Sequence, residues 1–228
     1  MSVHDGHRER LREQYVKHGL ESFNDLNTLE LLLFYAIPRR DTNELAHALL
    51  EHFGSLEGVF DASVQQLEDV PGIGKNAAVL ITLVPKIARR YEIDKTRDLT
   101  VIQNAKMAAR YFIPRLGTEK VEKAIMICLD AQKRVIADIE LNSGVVDAVE
   151  LNVRKVVETA IKYRASSVIL AHNHPSGNPI PSREDTYLTK RTLSALDLLG
   201  ISLDDHIIVA GKEFASMADM GILNRLPL

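Results

Sequence analysis

Residues Ser167 to Asp185 read SVILAHNHPSGNPIPSRED, and the interpretation of the C-terminal half turns on them. Val168-Ile169-Leu170-Ala171 is a short apolar, β-branched run of the kind that forms a buried strand. It stops on His172-Asn173-His174, and a loop punctuated by Pro175, Gly177, Pro179 and Pro181 leads to a helix start at Ser182. Residues i and i+2 of a strand point to the same side, so His172 and His174 project together from its end. Asp185, delivered by the next helix, adds a carboxylate. Three protein ligands with a fourth position left for water is the arrangement of catalytic rather than structural zinc. A plainer reading competes: Ser182 is the N-cap of a helix, Asp185 is an approximate capping-box partner, and the histidines are hydrogen-bonded structural residues. Capping alone does not account for a stiff proline-rich loop between the histidines and the carboxylate.

Outward from this stretch, strands alternate with helices. Asn152 to Tyr163 reads as a helix with Val153, Val156, Val157, Ala160 and Ile161 inward. The helix from Ser182 to Leu199 turns Leu188, Leu193, Leu196 and Leu199 inward. Asp205 to Ala210 and Glu213 to Ser216 follow as strands. Upstream, Lys123 to Leu129 is a strand, Asp130 to Lys133 a turn, and Arg134 to Leu141 its antiparallel partner. Asn142-Ser143-Gly144 breaks that strand, and Val145 to Val149 is a candidate short one. Asn104 to Phe112 is a helix ended by Pro114. The pattern is a mixed α/β layer, a sheet packed by helices.

The N-terminal half reads as helices in series. His7 to Val16 precedes a break at Gly19, and Asn27 to Ile37 takes Asn27 as N-cap and Glu30 as capping-box partner before Pro38. Asp41 or Thr42 caps a helix that ends at Gly54, and short helices follow at Leu56 to Phe60 and Ser63 to Leu67. Val70-Pro71-Gly72-Ile73-Gly74-Lys75-Asn76-Ala77-Ala78 is similar to the hairpin of helix-hairpin-helix DNA-binding modules. Glycines there permit a tight turn and close approach to phosphate, and the following helix start presents free N–H groups to an anion. That makes Gly72, Gly74 and Lys75 candidate DNA contacts, although the same hairpin serves equally to join two helices. Arg90 to Thr100 reads as a linker, which places the boundary near residue 98 and divides the chain into 1–98 and 99–228.

Composition bounds the rest. The chain has 228 residues, 46% hydrophobic and 26% charged, and a formal net charge of −3, so no global basic excess argues for nucleic acid. Any DNA contact is local, sequence-independent and salt-sensitive. The single cysteine, Cys128, excludes an internal disulfide, fits a reducing cytoplasm, and sits in an apolar run where packing is its expected role. No stretch is apolar enough to span a bilayer, and MSVHDGHRERLRE lacks the apolar core of a secretion signal, so the expectation is a cytoplasmic protein with no membrane partner.

His172-x-His174-Pro175, followed by Ser182 and Asp185 at their present spacing, resembles the JAMM motif of MPN-domain metalloproteases. HNHPSGNPIPSRED, with Asp205-His206-Ile207-Ile208 downstream, looks like the RadC branch of that superfamily. GHRERLRE, LELLLFYAIPRRDTN and VPGIGKNAA are similar to the same family's leader domain. The resemblance implies an α+β fold: an all-helical, helix-hairpin-helix-like N-terminal domain, then a mixed α/β MPN domain of the JAMM, cytidine-deaminase-like type. It implies Zn2+ on His172, His174 and Asp185, Ser182 beside the reacting oxygen, and an upstream glutamate as proton acceptor. Glu122 matches that last position, with Glu119, Glu140 and Glu150 as alternatives. The implied chemistry is attack of a metal-activated water on a peptide or isopeptide carbonyl, with a protein or peptide substrate.

Two other functions stand beside the hydrolase. One is a DNA-associated accessory protein with a structural metal, in line with the RadC family's traditional link to DNA repair. The other is an HNH nuclease, disfavoured because that motif spreads its residues over a ββα unit. His206 is expected to support the site rather than bind metal, Asn173 to fix the loop, and Arg154 to orient a substrate or form a surface ion pair. His4, His7, His18, His47 and His52 read as solvated or structural.

Overall fold

The computed structural model describes residues 3–141 and 149–224. The chain divides into two compact units, residues 1–90 and 91–228, so the division lies eight residues before the expected boundary (98 − 90 = 8). The division falls inside helix α6, Lys75–Asp94, which carries helical structure into the segment expected to be a linker.

The first unit contains α1 (Val3–His18), α2 (Asp25–Ala36), α3 (Asn43–Phe53), α4 (Leu56–Asp61), α5 (Val64–Glu68) and all but the last four residues of α6. Leu29, Leu33, Leu45, Leu49, Val59, Leu67, Ile73 and Ile81 meet in its core. Helix α2 starts earlier than expected, with Asn24 rather than Asn27 as its cap: the Asn24 side chain accepts from the Asn27 amide at 2.8 Å. Glu30 therefore leaves the capping box. It is buried, and accepts from Asn43 Nδ2 at 3.1 Å and meets His7 Nε2 at 3.0 Å, which joins α1, α2 and α3. Asp41 and Thr42 share the start of α3: Thr42 holds the cap position, and the Asp41 carboxylate accepts from the Asn43 amide at 2.9 Å.

The second unit is a five-stranded mixed sheet of order β2-β1-β3-β4-β5. Its strands are β1 (Ala124–Leu129), β2 (Val135–Glu140), β3 (Ser167–Asn173), β4 (Ser202–Ala210) and β5 (Glu213–Ser216). Strands β3 and β4 run parallel and the other neighbours antiparallel. Helix α7 (Ala105–Leu116) packs one face, where Ile127, Leu129, Ile169, Ala171, Ile207 and Val209 meet Phe112 and Leu116. Helices α8 (Val149–Lys162) and α9 (Arg183–Asp197) pack the other, where Met126, Cys128, Val168 and Leu170 meet Val156, Ala160 and Leu196. The alternation follows from the two-residue period of a strand.

Several expectations change. Helix α7 passes through Pro114 and ends at Leu116, because the Gly117 amide still reaches Ile113 O at 2.8 Å and closes the last turn. Helix α9 buries Thr189, Thr192 and Leu196, while Leu199, beyond its end, is exposed. Ile161 is likewise exposed, since the buried stripe of α8 runs through Val156 and Ala160. The candidate strand at 145–149 lies largely outside the described residues, and Val149 opens α8.

Candidate metal centre

Strand parity puts the histidines where the sequence expects them. Val168 and Leu170 face α8 and α9, so His172, two residues on, faces the same way. Helix α9 begins at that strand end and brings Asp185. His172 Nε2 lies 2.9 Å from His174 Nε2 and 3.2 Å from Asp185 Oδ1, and His174 Nε2 lies 3.4 Å from Asp185 Oδ2. Among the described residues these three form the one group of His, Cys, Asp and Glu side chains close enough to share a metal ion. Donors about 2.0–2.1 Å from a tetrahedral zinc stand roughly 3.3 Å apart, which matches the spacing found here. The residues present fit zinc in number, type and separation.

Each of the three side chains is held from behind. His174 Nδ1 donates to the Asn178 carbonyl at 2.8 Å, which leaves its Nε2 lone pair for the centre. His172 Nδ1 meets His206 Nε2 at 2.8 Å, and His206 Nδ1 meets Thr189 Oγ1 at 2.6 Å. Burial keeps His206 neutral, with its ring held down to about 3. Ser182 caps α9 in a reciprocal capping box: its Oγ accepts from the Asp185 amide at 3.0 Å, and its amide donates to Asp185 Oδ2 at 2.8 Å. The same hydroxyl donates to Asp185 Oδ2 at 2.7 Å. The plainer capping reading is therefore correct, and it is also what aims Asp185 at the histidines. Burial works to raise the Asp185 carboxyl, but the His172 ring and Ser182 outweigh it and hold the group well below the ordinary carboxylate range.

A family model described as a RadC-like JAB domain matches residues 102–222, the whole of this sheet and its helices, and a UPF0758 N-terminal model matches residues 6–79. This chain belongs to the RadC-like JAB-domain family. A UPF0758 protein of Fusobacterium nucleatum is 35% identical over 225 residues, covering 96% of this chain and 97% of its own length.

Within this RadC-like JAB domain the upstream glutamates separate by register. Ala124 is paired with His172 in the antiparallel β1–β3 ladder. Glu122 stands two residues before Ala124, exposed, in the segment that leads into β1. Glu140 pairs with Ile125, whose neighbours Ile127 and Leu129 face α7, so it belongs to the other face. Glu119 forms an ion pair with Lys123 at 3.0 Å. The side chain of Glu150 lies outside the described residues.

Asn173 does more than fix its own loop. Buried between the histidines, it accepts from the Lys123 amide at 2.8 Å and donates to the carbonyls of Glu119 and Val121 at 3.0 and 3.1 Å. It therefore clamps the segment that carries Glu122 to β3. Nothing local in the sequence announces these contacts, nor the role of Thr189, because their partners lie far along the chain. Arg154 pairs with Glu158 at 2.7 Å on the exposed side of α8. Cys128 is buried and burial pushes its thiol up to about 11, as expected for a packing residue.

In the helical unit, Gly72, Gly74 and Lys75 lie on an exposed turn whose central Ile73 is pinned in the core. Gly72 has φ 93, and an added Cβ would meet Leu45 Cδ2 at 2.7 Å and Arg40 Nη2 at 3.5 Å. No helix among the described residues is long and apolar enough to cross a membrane.

Proposed function

We propose that this RadC-like JAB-domain protein is a zinc-dependent hydrolase of peptide or isopeptide bonds. The observation that carries the reading is the convergence of two imidazole Nε2 atoms and one carboxylate at the mouth of β3, at the spacing of a tetrahedral ion's edge. His172, His174 and Asp185 hold the ion, which when bound lowers the pKa of a water to ~7 and polarises a carbonyl. Glu122, in the segment that leads into β1 and that Asn173 ties to β3, takes the water's proton and returns it to the leaving amine. Ser182 donates to the oxygen that gains charge. Its single hydroxyl hydrogen rests on Asp185 Oδ2, so it must swing away from that carboxylate to act. Asn173 holds the Glu122 segment at the depth this geometry needs.

The test is a panel of peptide and isopeptide substrates assayed with the zinc-loaded protein, a chelated control and Glu122→Gln. Zinc content equal to wild type in Glu122→Gln, with turnover lowered by at least about 10²-fold, is the expected result. Unchanged turnover in that variant sinks the mechanism.

A second reading has its own support. The exposed Gly72–Lys75 turn carries Arg40 at its side and opens the N-terminus of α6, a suitable contact for a DNA phosphate. On this reading the helical unit brings the protein to DNA, with or without hydrolysis elsewhere. Salt-titrated binding of the full chain and of Lys75→Ala to random-sequence duplex checks it. A log–log salt slope reduced by about 1 in the variant supports it, and no binding at low salt removes it.

A further inference from the structure

The chain His172–His206–Thr189–Asp185 joins the sheet to α9, and its hydrogens can be counted. Thr189 Oγ1 lies 2.6 Å from the Asp185 carbonyl oxygen and 2.6 Å from His206 Nδ1. Two oxygens that close require a hydrogen between them, and the carbonyl has none. The one hydroxyl hydrogen of Thr189 is therefore committed to Asp185 O. The hydrogen between Thr189 and His206 must then come from His206 Nδ1. A neutral imidazole has a single N–H, so His206 Nε2 is a bare acceptor. It lies 2.8 Å from His172 Nδ1, which must donate to it. The remaining nitrogen of His172, Nε2, points at His174 and Asp185, where its lone pair is available to a metal ion.

From this count we infer that His206 and Thr189 are positioning residues that hold His172 in the Nδ1–H tautomer, so that its Nε2 is ready to ligate a metal. The inference rests on His172 being a ligand, as proposed above, but not on any hydrolytic activity. Metal-ligating histidines are commonly oriented by a carboxylate or a backbone carbonyl; here a second imidazole does the work, oriented in turn by the helix that supplies Asp185. Asp185 thus enters the centre twice, through its carboxylate and, by way of Thr189 and His206, through its own backbone carbonyl.

The fold makes a specific provision for this contact. Leu203 faces α8 and α9, whereas Ile207 and Val209, at even spacing from it, face α7. The change of side comes from a break in the β3–β4 register: Val168 pairs with Leu203, but Ile169 pairs with Asp205. Asp204 is the extra residue, and Lys133 Nζ and Ser167 Oγ hold its carboxylate at 2.6 and 2.7 Å. Without that bulge, strand alternation would turn His206 to the α7 face, away from His172.

The experiment uses the full chain labelled with 15N histidine, stripped of metal, at neutral to mildly alkaline pH. Long-range 1H–15N spectra of the His172 ring are expected to show a pyrrole-type Nδ1, whichever of His172 and His174 holds the hydrogen in the 2.9 Å contact between their Nε2 atoms. Thr189→Val keeps the side-chain shape but removes the acceptor for His206 Nδ1–H. In that variant His206 is free to donate through Nε2, which drives hydrogen onto His172 Nε2. Zinc affinity, measured by competition with a chromophoric chelator, is expected to fall about 10–100-fold in Thr189→Val and to stay near wild type in Thr189→Ser. A pyridine-type Nδ1 on His172 in the wild type overturns the inference without any variant. So does a Thr189→Val protein, folded by its amide spectrum, with unchanged tautomer and zinc affinity. Neither result bears on whether Glu122 serves a hydrolysis, so the two proposals fail separately.

Discussion

Replacing Asn173 by alanine tests the clamp between β3 and the segment that carries Glu122. The substitution removes an acceptor from the Lys123 amide and donors from the carbonyls of Glu119 and Val121, three hydrogen bonds at 2.8, 3.0 and 3.1 Å from one buried side chain. Each is worth about 0.5–1.5 kcal/mol net, so the loss is roughly 1.5–4.5 kcal/mol, with a central value of about 3 kcal/mol. That is about 150-fold in the opening equilibrium, at 1.4 kcal/mol per factor of ten. Because the chain has two units, a single global unfolding curve is a poor readout. Native-state hydrogen exchange resolves the effect by residue. The Lys123 amide is expected to lose protection first and most, with a smaller loss at the central β1 amides of Met126 and Ile127. Zinc affinity should change little, since none of the ligands is touched, whereas turnover should fall with the placement of Glu122. If the Lys123 amide keeps its wild-type protection and stability drops by less than about 0.5 kcal/mol, the clamp is not what holds that segment.

Gly72→Ala should destabilise the helical unit by about 1–2 kcal/mol, because φ 93 disfavours a side chain and its Cβ meets Leu45; Gly74→Ala, open on every side, should stay within about 0.5 kcal/mol, both read by thermal melting. Acid should weaken the second unit. His206 is held at about 3 against 6.5 in the unfolded chain, so below about 6.5 the unfolded state binds the extra proton and stability falls as pH falls, by up to about 1.4 kcal/mol per unit. Urea unfolding of the second unit at pH 7 and pH 5, with His206→Phe as the control with the flatter slope, checks it. Zinc at a hundredfold excess over its Kd should raise the stability of the second unit by about 2.7 kcal/mol, an effect that Asp185→Ala and chelator both abolish in calorimetry.

How far the site was readable follows from the range of the interactions involved. His172, His174, Ser182 and Asp185 stand within fourteen positions (185 − 172 + 1 = 14), and strand parity and helix capping, both local rules, were enough to set them together. The same local rules misplaced the cap of α2 by three residues, from Asn24 to Asn27, because two asparagines offer the same chemistry and only packing chooses between them. Pro114 reads as a stop, yet α7 closes its last turn past it. The linker expected at Arg90–Thr100 is helical as far as Asp94, since charge and polarity alone do not tell an exposed helix end from a loop.

The sequence by itself determined the helical first part, the α/β layer of the second and the convergence of His172, His174 and Asp185, because each of these is written in periods of two to four residues. What only the tertiary structure decided is everything that stands behind them. Asn173 reaches a segment some fifty residues earlier, His206 reaches His172 from the neighbouring strand, and Thr189 closes the circuit back to Asp185. Those meetings depend on the β1–β3 register and on one extra residue, Asp204, in β4. Register is the sum of many weak pairings across the sheet, and a one-residue slip reverses every side chain, so no local pattern can announce it.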